Sequence, residues 1–291
     1  LIYKMAPIQN FLSLVKFSHT LFALPFALIG YFMGIEFSIH EFDWTLFVKV
    51  LLCMVFARSA AMAFNRYIDR DIDAANERTA NVREIPRGVI SPNAALIFVV
   101  INSILFIATT YFINDICFYL SPVALLVVLG YSFTKRFTAL CHLVLGLGLS
   151  LAPIGAYLAV VGSFATLPVL LSIAVLFWVS GFDLIYALQD ESFDRKMSLH
   201  SIPVALGAKG TLVLSTIFHL VTATLIIWIT FLANGNYLFW IGSLIFIALL
   251  AYQHLIVKAN DLSKVNRAFF TTNGIASVIF SIFVISSFYI H

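Results

Sequence analysis

Three aspartates, Asp69, Asp71 and Asp73, fall within five residues of a 291-residue chain that is 62% hydrophobic and only 11% charged. Asn65, Asp69 and Asp73 stand at i, i+4 and i+8, the spacing that lines one face of a helix. A second set, Asp190 and Asp194, repeats the i, i+4 step. Asp183 lies seven residues before Asp190, as Arg58 lies seven before Asn65. Carboxylates one turn apart on a helix repel each other by roughly a few tenths of a kcal/mol per pair, and a divalent cation relieves that repulsion. Oxygen donors without Cys or His suit a hard ion, and Mg²⁺ is commonly held by one or two carboxylates together with substrate phosphates. The chemistry this points to is a Mg²⁺–diphosphate site in a membrane cavity facing the cytoplasm, for a substrate with an anionic head and a greasy tail. Helix-end charges reaching into lipid headgroups would explain one such cluster as readily, but two on one side favour the metal.

Further candidates share that side. Tyr131 and Lys135, one helical turn apart in "YSFTKRFT", supply a hydroxyl and a cation that could grip phosphate oxygens together. Arg136, beside them, reads as a positive-inside anchor. Arg58 lies about two turns inside an apolar helix, and an ionisable group at such depth is by default a functional candidate.

The elements that must position these groups are membrane-spanning helices. Mean hydropathy is +1.01, and no Asp, Glu, Lys or Arg occurs in residues 17–35, 89–114, 116–134, 137–182, 210–257 or 268–291. A span needs roughly 20 apolar residues, so the two longest runs read as hairpins. Each has a polar break near its middle, at Gly162-Ser163 and at Asn234-Gly235-Asn236. With residues 44–66 the expectation is an all-α integral membrane protein of nine transmembrane helices. A cytoplasmic N-terminus then puts Lys4, Lys16, Lys135-Arg136 and the 65–88, 190–209 and 258–267 loops on the inside. Lys49 stands opposite with Glu36, Glu41, Asp43 and Asp115, which is the positive-inside pattern. The net charge of +3 therefore speaks of topology, and no nucleic-acid motif is present. Cys53, Cys117 and Cys141 are scattered singly, with neither disulfide nor zinc spacing. The opening "LIYKMAPIQN" is too short in apolar length for a cleavable signal peptide, so a first helix from about Phe11 is expected as a retained span.

The two long cytoplasmic segments, "DRDIDAANERTANVREIPRG" and "DESFDRKMSLHSIPVALG", both run from acidic residues through basic ones to Ile-Pro. Four helices, an even number, separate Asp69 from Asp190, so both motifs open on one face. One domain, residues 1–291, made of two parallel pseudo-repeat halves (roughly 1–137 and 138–291) is expected. A cation-coupled transporter is the rival from another class, although transporters usually place their ion sites near the midplane.

NxxxDxxxD at Asn65-Asp69-Asp73, YxxxDxxxD at Tyr186-Asp190-Asp194 and YxxxK at Tyr131-Lys135 together resemble the UbiA superfamily of intramembrane prenyltransferases. The likeness runs over nearly the whole chain, including "RSAAMAFN" before the first motif and "LHSIP" after the second. It is strongest to the 4-hydroxybenzoate polyprenyltransferase branch, with relatives that serve menaquinone made by the futalosine route. The resemblance implies helices around a central cavity opening to the cytoplasmic side of a bacterial inner membrane. There a polyprenyl group would pass from polyprenyl diphosphate to a ring carbon of an aromatic acid in quinone biosynthesis, ubiquinone or menaquinone. Naphthoate and tetrapyrrole acceptors are the alternatives. It implies Mg²⁺ held by Asp69, Asp73, Asp190 and Asp194 with Asn65 assisting, and phosphate charge shared by Arg58, Tyr131 and Lys135. Tyr186 belongs to the substrate-binding set, and Asp183 to acceptor orientation or proton removal. Lys16 and His19 could hold the acceptor carboxylate, with a positive-inside anchor the equal alternative for Lys16, and His200 could touch diphosphate or acceptor. His219 and His254, in late helices, are expected to be structural. Two features depart from the family pattern: Arg66 stands where Asp commonly follows the motif Asn, and Val82 looks inserted between Thr79 and Arg83.

Overall fold

The computed structural model describes residues 8–15 and 22–290. Lys16 and His19 therefore lie outside the described residues. In chain order the helices are α1 (Ile8–Leu14), α2 (Leu24–Glu36), α3 (Trp44–Ile68), α4 (Arg70–Ala75), α5 (Glu77–Ala80), α6 (Pro92–Tyr111) and α7 (Asp115–Thr134). They continue as α8 (Cys141–Val161), α9 (Thr166–Ala187), α10 (Glu191–Lys196), α11 (Ile202–Leu232), α12 (Tyr237–Ile256) and α13 (Asn273–Ser287). A 3₁₀ turn, Leu188–Asp190, joins α9 to α10, and a π-helical turn, Arg267–Thr272, leads into α13. Among the described residues, 8 helical stretches are long and apolar enough to cross a bilayer, and α2 is a shorter apolar helix. The chain is thus an all-α integral membrane protein.

The polar breaks fall where the sequence places them. Gly162 ends α8 at φ +71°, a left-handed conformation that only glycine adopts without strain. Asn236 caps α12, its Oδ1 accepting from the backbone N–H of Leu238 at 3.1 Å and of Phe239 at 3.4 Å. Ser91 and Ser201 cap α6 and α11 in the same way, each with proline in the first turn, where a missing N–H costs nothing. The apolar period does not reveal that α11 is broken at Gly207, whose φ of +67° and ψ of 177° interrupt the helix one turn after its start.

The chain forms two compact units, one of residues 1–20 and 48–133, the other of residues 21–47 and 134–291. In the first, Leu14, Ile90 and Val99 bury themselves with Ala60, Ala63 and Ala95, and Phe11 stacks on Phe98 at 4.9 Å. The second has an aromatic core of Phe26, Trp178, Phe246 and Phe280. Within it α9 packs between α8 and α11, α2 lies on α8, and α12 on α13. At Gly146 and Gly181, α9 is approached so closely that a Cβ would overlap Ser180 and Leu176 in one case and the His219 ring in the other. Several polar groups of this interior are paired within it, which lowers the cost of burying them in a dry medium. Trp178 Nε1 donates to Asn273 Oδ1 at 3.1 Å, Gln253 Nε2 donates to the same oxygen at 2.7 Å, and His219 Nδ1 meets His254 Nε2 at 2.8 Å. These last two histidines pair with each other between α11 and α12.

Candidate active site

The first acidic motif is built on the end of α3 and on α4. The chain turns at Asp69, yet the helical ladder runs on: Asp69 N–H donates to Asn65 O at 2.9 Å and Asp73 N–H to Asp69 O at 2.7 Å. The i, i+4, i+8 register read from the sequence therefore holds through the turn. Asn65 Nδ2 donates to Asp69 Oδ2 at 2.8 Å, and Arg66 Nη1 donates to Asn65 Oδ1 at 2.9 Å. Arg66, buried at 7% exposure, thus fixes the orientation of the motif amide. Asp71 is on another face and meets Arg70 at 3.9 Å.

The loop that follows closes back on the motif. Thr79 Oγ1 donates to Asp73 O at 2.8 Å, and Arg83 Nε lies 3.9 Å from Asp73 Oδ2, both side chains largely buried. The extra residue before Arg83 is absorbed by one helical turn, in which Arg83 N–H donates to Thr79 O at 2.9 Å and Val82 is left 52% exposed. Arg83 accordingly keeps its place beside the acidic cluster. In the same unit Arg58 is half-buried and within electrostatic reach of the Tyr131 phenol.

The second motif begins at the end of α9 and crosses the 3₁₀ turn into α10. Asp194 is wholly buried, and Lys135 Nζ reaches its Oδ1 at 2.7 Å. Burial pulls the Lys135 ammonium down, but the Asp194 carboxylate, with Asp190 adding to it, outweighs this and holds the lysine above its ordinary value. Backbone bonds lock the pair: Leu199 N–H donates to Asp194 O at 2.9 Å and His200 N–H to Lys135 O at 2.8 Å. The His200 side chain is exposed, so the structure ties that residue to the site through its backbone. Tyr186 stacks on Phe269 at 4.1 Å and meets Phe270 edge-on at 5.9 Å. Deeper in α9, Asp183 Oδ2 lies 2.6 Å from Nδ1 of His142 on α8. The sequence reading passed over His142, although a histidine in the charge-free run 137–182 is itself a signal, since ionisable groups at membrane depth are uncommon.

The donor set fits magnesium. Asp194 Oδ2 is buried with no hydrogen-bond partner among the described residues, an expensive state that a cation would relieve. Among the described residues, no three His, Cys, Asp or Glu side chains stand together as an ion site.

Comparison with known proteins bears out the family resemblance that the motifs carry. The model of the UbiA prenyltransferase family matches residues 23–275. A 4-hydroxybenzoate octaprenyltransferase of Aliivibrio fischeri is 31% identical over 241 residues, covering 82% of each chain. One from Tolumonas auensis is 31% identical over 224 residues, 77% of this chain and 78% of its own. The apo structure of a UbiA homologue from Aeropyrum pernix superposes with a TM-score of 0.83 at 29% identity, covering 92% of this chain and 97% of that one. A homologue from Archaeoglobus fulgidus bound to DMAPP and Mg²⁺ shares the fold, with a TM-score of 0.76 at 20% identity over 97% of this chain and all of its own.

Proposed function

Since the chain belongs to the UbiA prenyltransferase family, we propose that it transfers a polyprenyl group from polyprenyl diphosphate to a ring carbon of a 4-hydroxybenzoate-like aromatic acid. Membership sets the transporter aside. The reading that the acceptor is a benzoate rests on the named relatives, whose printed substrate is 4-hydroxybenzoate. We place the reaction on the cytoplasmic side of a bacterial inner membrane, following the charge pattern, with residues 1–291 acting as one catalytic domain. The observation that carries the reading is the pair of acidic motifs, each ending a long apolar helix and each held by a cation of its own.

In this reading Asp69 and Asp73 of the first motif and Asp190 and Asp194 of the second hold magnesium, with Asn65 assisting by orienting Asp69. Magnesium, when bound, supplies Lewis-acid stabilisation to the departing diphosphate. Lys135, Arg58 and Tyr131 donate to its oxygens, and fixed donors aimed at developing charge lower the barrier without reorganising. The Tyr186 ring, fixed against Phe269, offers a π face that attracts the allylic cation. Asp183 serves the acceptor end, orienting the ring or taking its proton. Lys16 and His19 are the candidates for the acceptor carboxylate, and the His200 side chain for diphosphate or acceptor.

Purified protein in lipid, given a polyprenyl diphosphate, Mg²⁺ and a panel of benzoate, naphthoate and tetrapyrrole acceptors, tests this by mass spectrometry of the products. A prenylated hydroxybenzoate is expected. Prenylation of a naphthoate or tetrapyrrole alone overturns the acceptor assignment, and activity that EDTA leaves intact overturns the metal assignment.

A further inference from the structure

Loss of the ring proton needs a base, and the motif carboxylates are poorly suited to it. Asp69 accepts from Asn65, Asp194 is paired with Lys135, and both are assigned to the diphosphate end. Asp183 is different. It lies seven residues before Asp190, roughly 10 Å along a helix axis, in a segment where an unpaired carboxylate would be costly. Its ion-pair partner among the described residues is His142, at 2.6 Å. The two are unequally accessible, with side chains 17% exposed for Asp183 and 6% for His142. The carboxylate is thus the more accessible of the two, and the imidazole the more deeply buried. His142 is braced in turn: Ser180 Oγ donates to His142 O at 3.2 Å, and Gly146 lets α8 approach α9 at that level. His142 Nε2 is buried with no hydrogen-bond partner among the described residues, and at Nδ1 the ring meets Asp183.

We propose that His142 is a positioning residue for proton removal: through its hydrogen bond at Nδ1 it holds the Asp183 carboxylate toward the acceptor ring. This rests on the prenyl-transfer reading above. As the bond from the prenyl C1 to the ring carbon forms, the C1–O bond breaks and its electron pair leaves with the diphosphate. The C–H pair at the attacked carbon then returns to the ring, and the proton passes to Asp183, hydrogen-bonded to His142 Nδ1, and later to water. The arrangement inverts the more familiar order, in which a carboxylate orients a reacting histidine.

The test uses the full-length protein in lipid with geranyl diphosphate, Mg²⁺, and 4-hydroxybenzoate carrying hydrogen or deuterium on the ring. His142→Leu is expected to lower kcat by about 10- to 100-fold, the range found when a group supporting a functional ligand is lost. Affinity for geranyl diphosphate stays unchanged, and a ring-deuterium isotope effect absent from the wild type appears. His142→Asn, whose amide N–H can occupy the place of Nδ1–H, restores most of kcat and removes the isotope effect. A purely structural role would lower the melting temperature without touching isotope sensitivity. If His142→Leu does not fold, the comparison of His142→Asn with Asp183→Asn carries the same readout. An active wild type whose His142→Leu or Asp183→Asn variant shows normal kcat, or slow turnover without an isotope effect, overturns this inference alone. A wild type that prenylates no aromatic acid overturns both readings.

Discussion

The two acidic motifs share a spacing and differ in what compensates them. In the first, the cations seen among the described residues come from its own stretch of chain. Arg66, adjacent in sequence, aligns the Asn65 amide on Asp69, and Arg83, ten residues beyond Asp73, returns to 3.9 Å from it. In the second, the deepest carboxylate, Asp194, meets a lysine 59 positions away in sequence, at 2.7 Å. Local arginines make a motif that its own segment can assemble; a distant lysine makes one that depends on tertiary structure. The same acidic pattern therefore carries different vulnerabilities in its two copies.

The largest expected effects come from the carboxylates themselves. Asp69→Asn and Asp194→Asn should each lower turnover by more than about 100-fold, the upper end of the losses seen when groups merely supporting a metal are removed, while the protein still inserts. Steady-state kinetics check this, and near-normal activity in one variant only would show that one motif suffices. Next comes Lys135→Met, which leaves a buried carboxylate without its cation. It should destabilise by about 2–3 kcal/mol, short of the ~3–5 kcal/mol for a wholly buried pair because the Lys135 side chain is 32% exposed. Asp194→Asn added to it should recover much of the loss in a denaturation series.

The same pair sets a pH dependence. The folded-state value of Lys135 lies above the unfolded one, so the pair's contribution is fully present below about pH 10 and is lost as pH rises through the raised value. Melting temperature should fall on an alkaline limb that Lys135→Met abolishes, with no change between pH 6 and 9. A smaller effect is expected in the first motif. Arg66→Ala removes the donor to Asn65 Oδ1 and should cost about 1–2 kcal/mol with a modest loss of activity. Val82→Ala, on the exposed outer side of the same loop, should stay within about 0.5 kcal/mol of wild type in the same denaturation assay.

Much of this was legible in the residues. The hairpin breaks at Gly162 and Asn236 follow from a glycine and a capping amide inside long apolar runs, and the acidic registers follow from helical periodicity, which the turn at Asp69 preserves. What was not legible lies in long-range packing. Nothing local marks the 3₁₀ tightening over Leu188–Asp190 that re-aims Asp190 relative to Asp183. The return of Arg83 to Asp73 depends on the turn in which Arg83 N–H donates to Thr79 O. The His142–Asp183 pair spans 41 positions, and only the packing of α8 on α9 brings it together.

The position of α9 between α8 and α11 has a consequence for biogenesis. A helix emerging from the ribosome can be enclosed on both sides only after its second neighbour has been made. The second motif therefore cannot reach its final surroundings until the chain has been synthesised through α11, near Leu232. A nascent chain arrested before that point would carry Lys135 and Asp194 with the wall around them unfinished. Such a chain should be caught by membrane quality control, whereas one arrested after α11 should already resist extraction.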